Sequence, residues 1–152
     1  RDAGAQFAVV VDADGQMDAS KIPELLAPLL ADVADLVRGD RLTAQSGGDN
    51  MPLLRHVAAV GLRLPARLCA GQRVGDPLSG FVALRLSRLP ERLWSGFGYP
   101  LHLVAAVAAK GGRIAHVAVP ARSPRDGVSH HGVHRLPSVL GAVVAAATER
   151  LR

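Results

Sequence analysis

Two carboxylates one residue apart end an apolar run near the start of the chain, "FAVVVDADGQMD" from Phe7 to Asp18. Asp12 and Asp14 project to one side if the backbone stays extended, and close carboxylates repel each other. A divalent cation relieves that repulsion, and Mg²⁺ typically takes one or two protein carboxylates together with substrate phosphate oxygens. A pair at the carboxyl end of a parallel strand lies in the crevice where open α/β sheets bind ligands. The chemistry this suggests is a metal clamp for a nucleoside diphosphate.

Other readings share the motif. A haloacid-dehalogenase-type phosphatase also ends a strand in Asp-x-Asp-Gly, its first Asp serving as nucleophile, but it follows with Thr where this chain has Gln16. An EF-hand loop counted from Asp12 would need Gly and Glu where Met17 and Pro23 stand, so it is rejected. A turn rich in Asp and Gly that merely ends a strand remains the simplest alternative.

The positioning elements follow from periodicity. Gln6 to Val11 reads as a buried strand. Ser20 is a candidate N-cap for a helix whose apolar stripe is Ile22, Leu25, Leu26, Leu29 and Leu30, with a kink expected at Pro28. A second strand around Asp35 to Arg38 completes a βαβ unit, which predicts parallel pairing of the two strands. Leu42 to Asn50 is a polar, Gly-rich loop. Leu53 to Ala70 is helical, with Pro65 as an irregularity, and a strand is expected near Phe81 to Leu86. Tyr99 to Lys110 is a helix stopped by Gly111-Gly112. Arg113 to Val119 alternates as a strand, Ala121 to Arg135 is a basic loop, and an apolar helix begins at Leu136. His102 and His116 fall in apolar patterns and read as packing residues; His130, His131 and His134 read as a solvated loop.

With 152 residues, 49% hydrophobic and 20% charged, the chain suits one globular domain. The lone Cys69 allows no internal disulfide. The net charge is +5, and all but two of the 18 basic residues are arginine. Aromatics at 3% leave few platforms for stacking single-stranded nucleic acid, so no nucleic-acid partner is expected. Arginine suits bidentate phosphate recognition.

Several segments in a set order carry a more specific signal: "VVVDADGQMDASKIPELLAPL", "ADLVRGDR", "MPLLR", "GDPLSGFVALR", "GFGYPLHLVAAVAAKGGRIAHVAVPAR" and "RDGVS". Together they resemble the latter part of family 2 glycosyltransferases, near the dolichol-phosphate mannose and glucose synthase group, from Phe7 to about Ser129. The resemblance implies an α/β fold of GT-A type, a Rossmann-like mixed sheet flanked by helices, lacking its N-terminal strands. It implies inverting sugar transfer from a nucleoside diphosphate sugar with Mg²⁺ or Mn²⁺, to an acceptor that in this group is typically a polyisoprenyl phosphate at a membrane face. Carried across, Asp12 and Asp14 would hold metal and donor diphosphate, with Gln16 as a further oxygen ligand. Arg41 would face a phosphate, Asp76 would stand beside the acceptor, and Arg125 and Ser129 would belong to a loop closing over the phosphates.

Asp40 places a second charge beside Arg41. In a GT-A fold several strands precede the Asp-x-Asp strand, so the expectation is a partial catalytic domain over residues 1–152, incomplete without the strands that carry the nucleotide-base pocket. The apolar helix over 136–152 suits either a core or a membrane-interfacial role. The expected location is cytoplasmic, or peripheral at the cytoplasmic membrane face.

Overall fold

The computed structural model describes residues 4–43, 53–120 and 136–150. Four strands, β1 (Phe7–Val10), β2 (Leu36–Asp40), β3 (Val82–Arg85) and β4 (Ile114–Ala118), form one mixed sheet in the order β1-β3-β2-β4. The helices are α1 (Ile22–Leu30), α2 (Leu53–Gly61), α3 (Arg63–Ala70), α4 (Tyr99–Ala109) and α5 (Leu136–Arg150).

The predicted parallel pairing of the first two strands is not formed. β3 lies between them, antiparallel to both, while β2 pairs in parallel with β4. β1 and β2 still run in the same direction, one strand apart. Local pattern identifies the strands, but the partner of β2 arrives some forty residues later, where no βαβ rule applies.

Strand alternation sorts the side chains onto two faces. Leu36, Val82 and Leu84 join Leu101, Val104 and Val107 of α4 on one side. Val37, Phe81 and Ala83 join Met17, Leu25 and Leu29 on the other. The result is three layers, with α1 covering one face and α3, α4 and α5 stacked over the other. β2 is buried along its whole length.

The helix signals hold in part. Leu25 and Leu29 are buried as expected, whereas Leu30 is exposed. Ser20 does not cap α1: Asp18 accepts a hydrogen bond from the Ser20 N–H and starts a short 3₁₀ turn, and α1 begins only after Lys21. Pro28 sits inside α1. The helical segment from Leu53 breaks at Leu62, not at Pro65, because Pro65 falls in the first turn of α3, where a missing N–H costs nothing. α4 ends as predicted: Gly111 adopts φ +71° and donates to the Ala108 carbonyl, and Gly112 donates to the Val107 carbonyl, both at 2.9 Å.

Candidate functional site

The three strands β1, β2 and β4 end at one edge of the sheet, where the segment leading into β3 crosses them. The register Val10↔Val82 carried two steps further sets Asp12 opposite Gly80. A Cβ at Gly80 would lie 2.5 Å from an Asp12 oxygen, so the carboxylate rests directly on the Gly80 backbone. This requires glycine. The same edge receives Asp40 and Arg41 from β2; the Gly39 N–H donates to the Phe81 carbonyl at 2.9 Å, and the Val119 N–H donates to the Asp40 carbonyl at 3.1 Å.

Asp14 is placed differently from the extended-strand expectation. The backbone turns at Ala13 and Asp14, Gly15 adopts φ +72°, and an Asp14 oxygen accepts the Gln16 N–H at 3.0 Å. A short carboxylate competes well for a nearby backbone donor once the chain leaves the sheet. Gln16 itself is buried.

Arg41 and Asp76 meet in a buried ion pair, Nε to Oδ2 at 2.6 Å. Asp76 also accepts the Leu78 N–H at 3.1 Å, which fixes the turn leading to Gly80. Burial pushes the Asp76 carboxyl up, but the charge and hydrogen bond of Arg41, helped by Arg38, outweigh it and hold it below the usual carboxylate range. Asp76 is therefore an anion and a weak base at neutral pH. Asp40, the carboxylate next in sequence to Arg41, is not its partner; Asp40 accepts the Leu42 N–H at 2.8 Å.

Three residues of this edge were not singled out as functional by sequence reasoning. Arg38 is fully buried on the α4 side, donating to the carbonyls of Ser79 at 2.7 Å and Pro100 at 3.4 Å. Burial drags its guanidinium down to about 10, against the support of Asp76. Tyr99 at the start of α4 approaches the Gly80 carbonyl at 3.5 Å; burial and then the Asp12 carboxylate push its phenol up, against the pull of Arg38. His116, read as a packing residue, accepts the Gly75 N–H at Nε2, 2.7 Å away. Its cross-strand neighbour is Arg38. An arginine directly after the apolar pair Leu36-Val37 of a buried strand was the available signal for Arg38; nothing local marks His116.

The His116 bond makes a testable link to pH. Burial first, and then the nearby arginines, lower the His116 pKa against the opposing pull of Asp40. The folded protein thus binds this proton less readily than the unfolded chain, whose value is about 6.5. The contribution is full above that value and is lost as pH falls towards the folded value. Thermal melts across this range are expected to show Tm falling with acidification, with a flatter profile in His116→Gln. Identical profiles would contradict it.

Gly80→Ala gives a second expectation. The added methyl must displace the Asp12 carboxylate, so stability should change little while any ligand held by Asp12 is weakened. Melting curves beside ligand titrations separate the two effects.

Arg125 and Ser129 lie outside the described residues, as do His130, His131 and His134. Among the described residues no group of three or more His, Cys, Asp or Glu side chains could hold a metal by itself.

No protein-family model matches the chain. Over 86 residues it is 36% identical to UDP-N-acetylglucosamine–dolichyl-phosphate N-acetylglucosaminyltransferase of Methanococcus voltae, covering 57% of this chain and 34% of that protein. Over 123 residues it is 35% identical to an uncharacterized glycosyltransferase of Mycobacterium bovis, covering 78% of this chain and 53% of that protein. Among solved structures, glucosyl-3-phosphoglycerate synthase from Mycobacterium tuberculosis with Mn²⁺, UDP and glucosyl-3-phosphoglycerate superposes with a TM-score of 0.63 at 24% identity, covering 95% of this chain and 50% of that one. Its complex with Mn²⁺, UDP and phosphoglyceric acid gives 0.61 at 23% identity, covering 97% and 49%. The relatives of this chain are glycosyltransferases, and the fold of this chain is GT-A. The chain spans about half the length of those structures and of the mycobacterial relative, and about a third of the archaeal one. The GT-A fold agrees with the mixed sheet and helical layers expected from the sequence.

Proposed function

We propose that this chain supplies the metal–diphosphate and acceptor-side groups of an inverting glycosyltransferase that moves a sugar from a UDP-sugar to a polyisoprenyl phosphate. The observation that carries this reading is the buried Arg41–Asp76 pair at the same sheet edge as Asp12. The UDP and Mn²⁺ of the solved neighbours and the dolichyl-phosphate acceptor of the archaeal relative support it.

The donor set fits a hard divalent cation that arrives with the donor. Asp12, Asp14 and Gln16 offer only oxygen, the chemistry Mg²⁺ and Mn²⁺ prefer. They are too few to form a resident site, which leaves coordination positions for diphosphate oxygens. When bound, the cation would neutralise the charge that grows on the leaving diphosphate. Asp12 is fixed for this role by the Gly80 backbone beneath it.

Arg41 offers a guanidinium to a phosphate, and its buried Nη2 has no hydrogen-bond partner among the described residues. Asp76 orients the acceptor and does not need to take a proton. A phosphate monoester, with its second pKa near 6, is already a nucleophile at neutral pH, whereas a hydroxyl acceptor would need the base that an arginine-paired Asp76 is poorly suited to be. Arg125 and Ser129 complete the phosphate contacts in this reading. A membrane-embedded acceptor would bring the protein to the cytoplasmic membrane face; no helix among the described residues is long and apolar enough to cross a membrane.

A second reading, a chain that binds the donor but turns over only beside further strands, is favoured by the half-length match and by the outer strand β1, where Val10 and the following Val11 stay exposed. Transfer of labelled sugar from a panel of UDP-sugars to polyisoprenyl phosphate, with Mn²⁺ or with a chelator, tests the proposal. A metal-dependent lipid product is expected. Metal-dependent donor binding without product would support the second reading, and neither binding nor product would refute both.

A further inference from the structure

The segment from Gly75 to Gly80 carries Asp76 and ends beneath Asp12, and its first residue is held from three sides. The Gly75 N–H donates to His116 Nε2 of β4, and the Gly75 carbonyl accepts from Arg63 Nε of α3, both at 2.7 Å. The third side is β2: a Cβ at Gly75 would overlap the Asp40 carboxylate and come within 2.8 Å of the His116 ring. Only glycine fits between them. From Asp76 onward the turn is bonded to itself, the Leu78 N–H donating to Asp76 Oδ1 at 3.1 Å and the Ser79 N–H to the Asp76 carbonyl at 3.3 Å. Such a turn moves as a unit, so the grip on Gly75 decides where Asp76 stands.

A ring nitrogen that accepts carries no proton, so the Gly75 bond requires neutral His116 with its proton on Nδ1. Once protonated, the ring only donates, and the Gly75 N–H is left buried without an acceptor. The charged groups acting on the ring are Asp40 and Arg38 of β2, Arg63 of α3 and Arg73 just beyond α3. Burial and the three arginines favour the neutral ring, and Asp40 favours the imidazolium. Asp40 Oδ1 accepts the Leu42 N–H, while Oδ2 faces Gly75 and the ring.

We propose that His116 is a positioning residue with two settings: neutral, it holds Gly75 and seats Asp76 against Arg41; protonated, it releases Gly75, turns to Asp40 and unseats the pair. His116 acts on the reaction only through Asp76. The consequence for sugar transfer rests on the transferase reading above, whereas the coupling of His116 to Asp76 does not.

The test begins with heteronuclear NMR of the whole chain during acidification. The His116 ring, the Gly75 and Leu78 amides and the Arg41 Nε–H should shift with one midpoint, below the ordinary histidine value of about 6.5. In His116→Gln, whose side-chain oxygen can accept the Gly75 N–H at any pH, the other signals should stay still. A Gly75 amide or an Arg41 Nε–H in wild type that ignores the His116 titration would overturn the proposal. Transfer is then measured per folded molecule in both proteins, with melting curves at each pH giving the folded fraction. An acceptor phosphate, titrating near 6, affects both alike and cancels in the ratio of their rates. That ratio, His116→Gln over wild type, should rise about fivefold as pH falls through the midpoint. A ratio flat with pH would also overturn the proposal, since a merely structural His116 changes the folded fraction and not the rate of folded molecules. Coupled NMR titration in a protein that transfers no sugar would support the link from His116 to Asp76 and count against the transferase reading alone.

Discussion

Asp12→Ala is expected to reduce sugar transfer by about 10²–10³-fold, the order lost when one stabiliser of developing charge is removed from a preorganised site. The effect follows from placement. Asp12 leaves β1 at the sheet edge and lies on a glycine backbone, in a position that no other side chain of the described residues duplicates. Its loss should leave the fold intact, because β1 is held by its pairing from Phe7↔Arg85 to Val10↔Val82. Unchanged melting with lost transfer is the expected pattern. Transfer within a few-fold of wild type would remove Asp12 from the site.

Asp76→Ala is expected to destabilise the protein by about 3–5 kcal/mol, because it leaves the buried Arg41 charge without its partner. For a chain of this size that corresponds to a Tm roughly 10 °C lower. Arg38 would at the same time lose the carboxylate that chiefly supports its buried charge. Replacing both partners, Arg41→Met with Asp76→Leu, should cost much less than the single change, since no uncompensated charge is buried. Acid acts in the same sense: Asp76 is held below the usual carboxylate range, so its contribution is present above about 3.8 and is lost as pH falls through its lower folded value. Asp76→Asn separates structure from chemistry. With a phosphate acceptor, transfer per folded molecule should keep most of its rate and show no new pH dependence near neutrality. A collapse of the rate in a folded Asp76→Asn protein would identify an obligatory base and a hydroxyl acceptor.

The sequence disclosed some layers of this design and hid others for definable reasons. Asp12 was legible because an apolar strand must end somewhere, and an acidic residue at that point is chemically conspicuous. Gly111-Gly112 was legible because a left-handed helix stop needs glycine. Arg41 and Asp76 were each expected to act, but their mutual pairing was not, since it joins positions 35 residues apart in sequence. Sheet order was misread at β1 and β2 because adjacency in the chain is only a tendency, and β3 supplies the intervening strand. The turn at Asp14 was misread because extended geometry was carried past Asp12, beyond the reach of the β1–β3 ladder that ends at Val10↔Val82. Arg38 and His116 escaped notice for a shared reason: their partners are backbone groups, of Ser79 and Pro100 for Arg38 and of Gly75 for His116, and backbone acceptors and donors have no sequence signature.

The central claim is that the sheet edge bearing Asp12 and Asp14 holds a nucleoside diphosphate through a divalent cation. Calorimetric titration of UDP into the protein, with Mn²⁺ and after chelation, tests it most directly. Saturable binding that requires Mn²⁺ and disappears in Asp14→Ala is the predicted result. UDP binding that persists after chelation or in Asp14→Ala, or no binding by the folded protein with Mn²⁺ present, would contradict it.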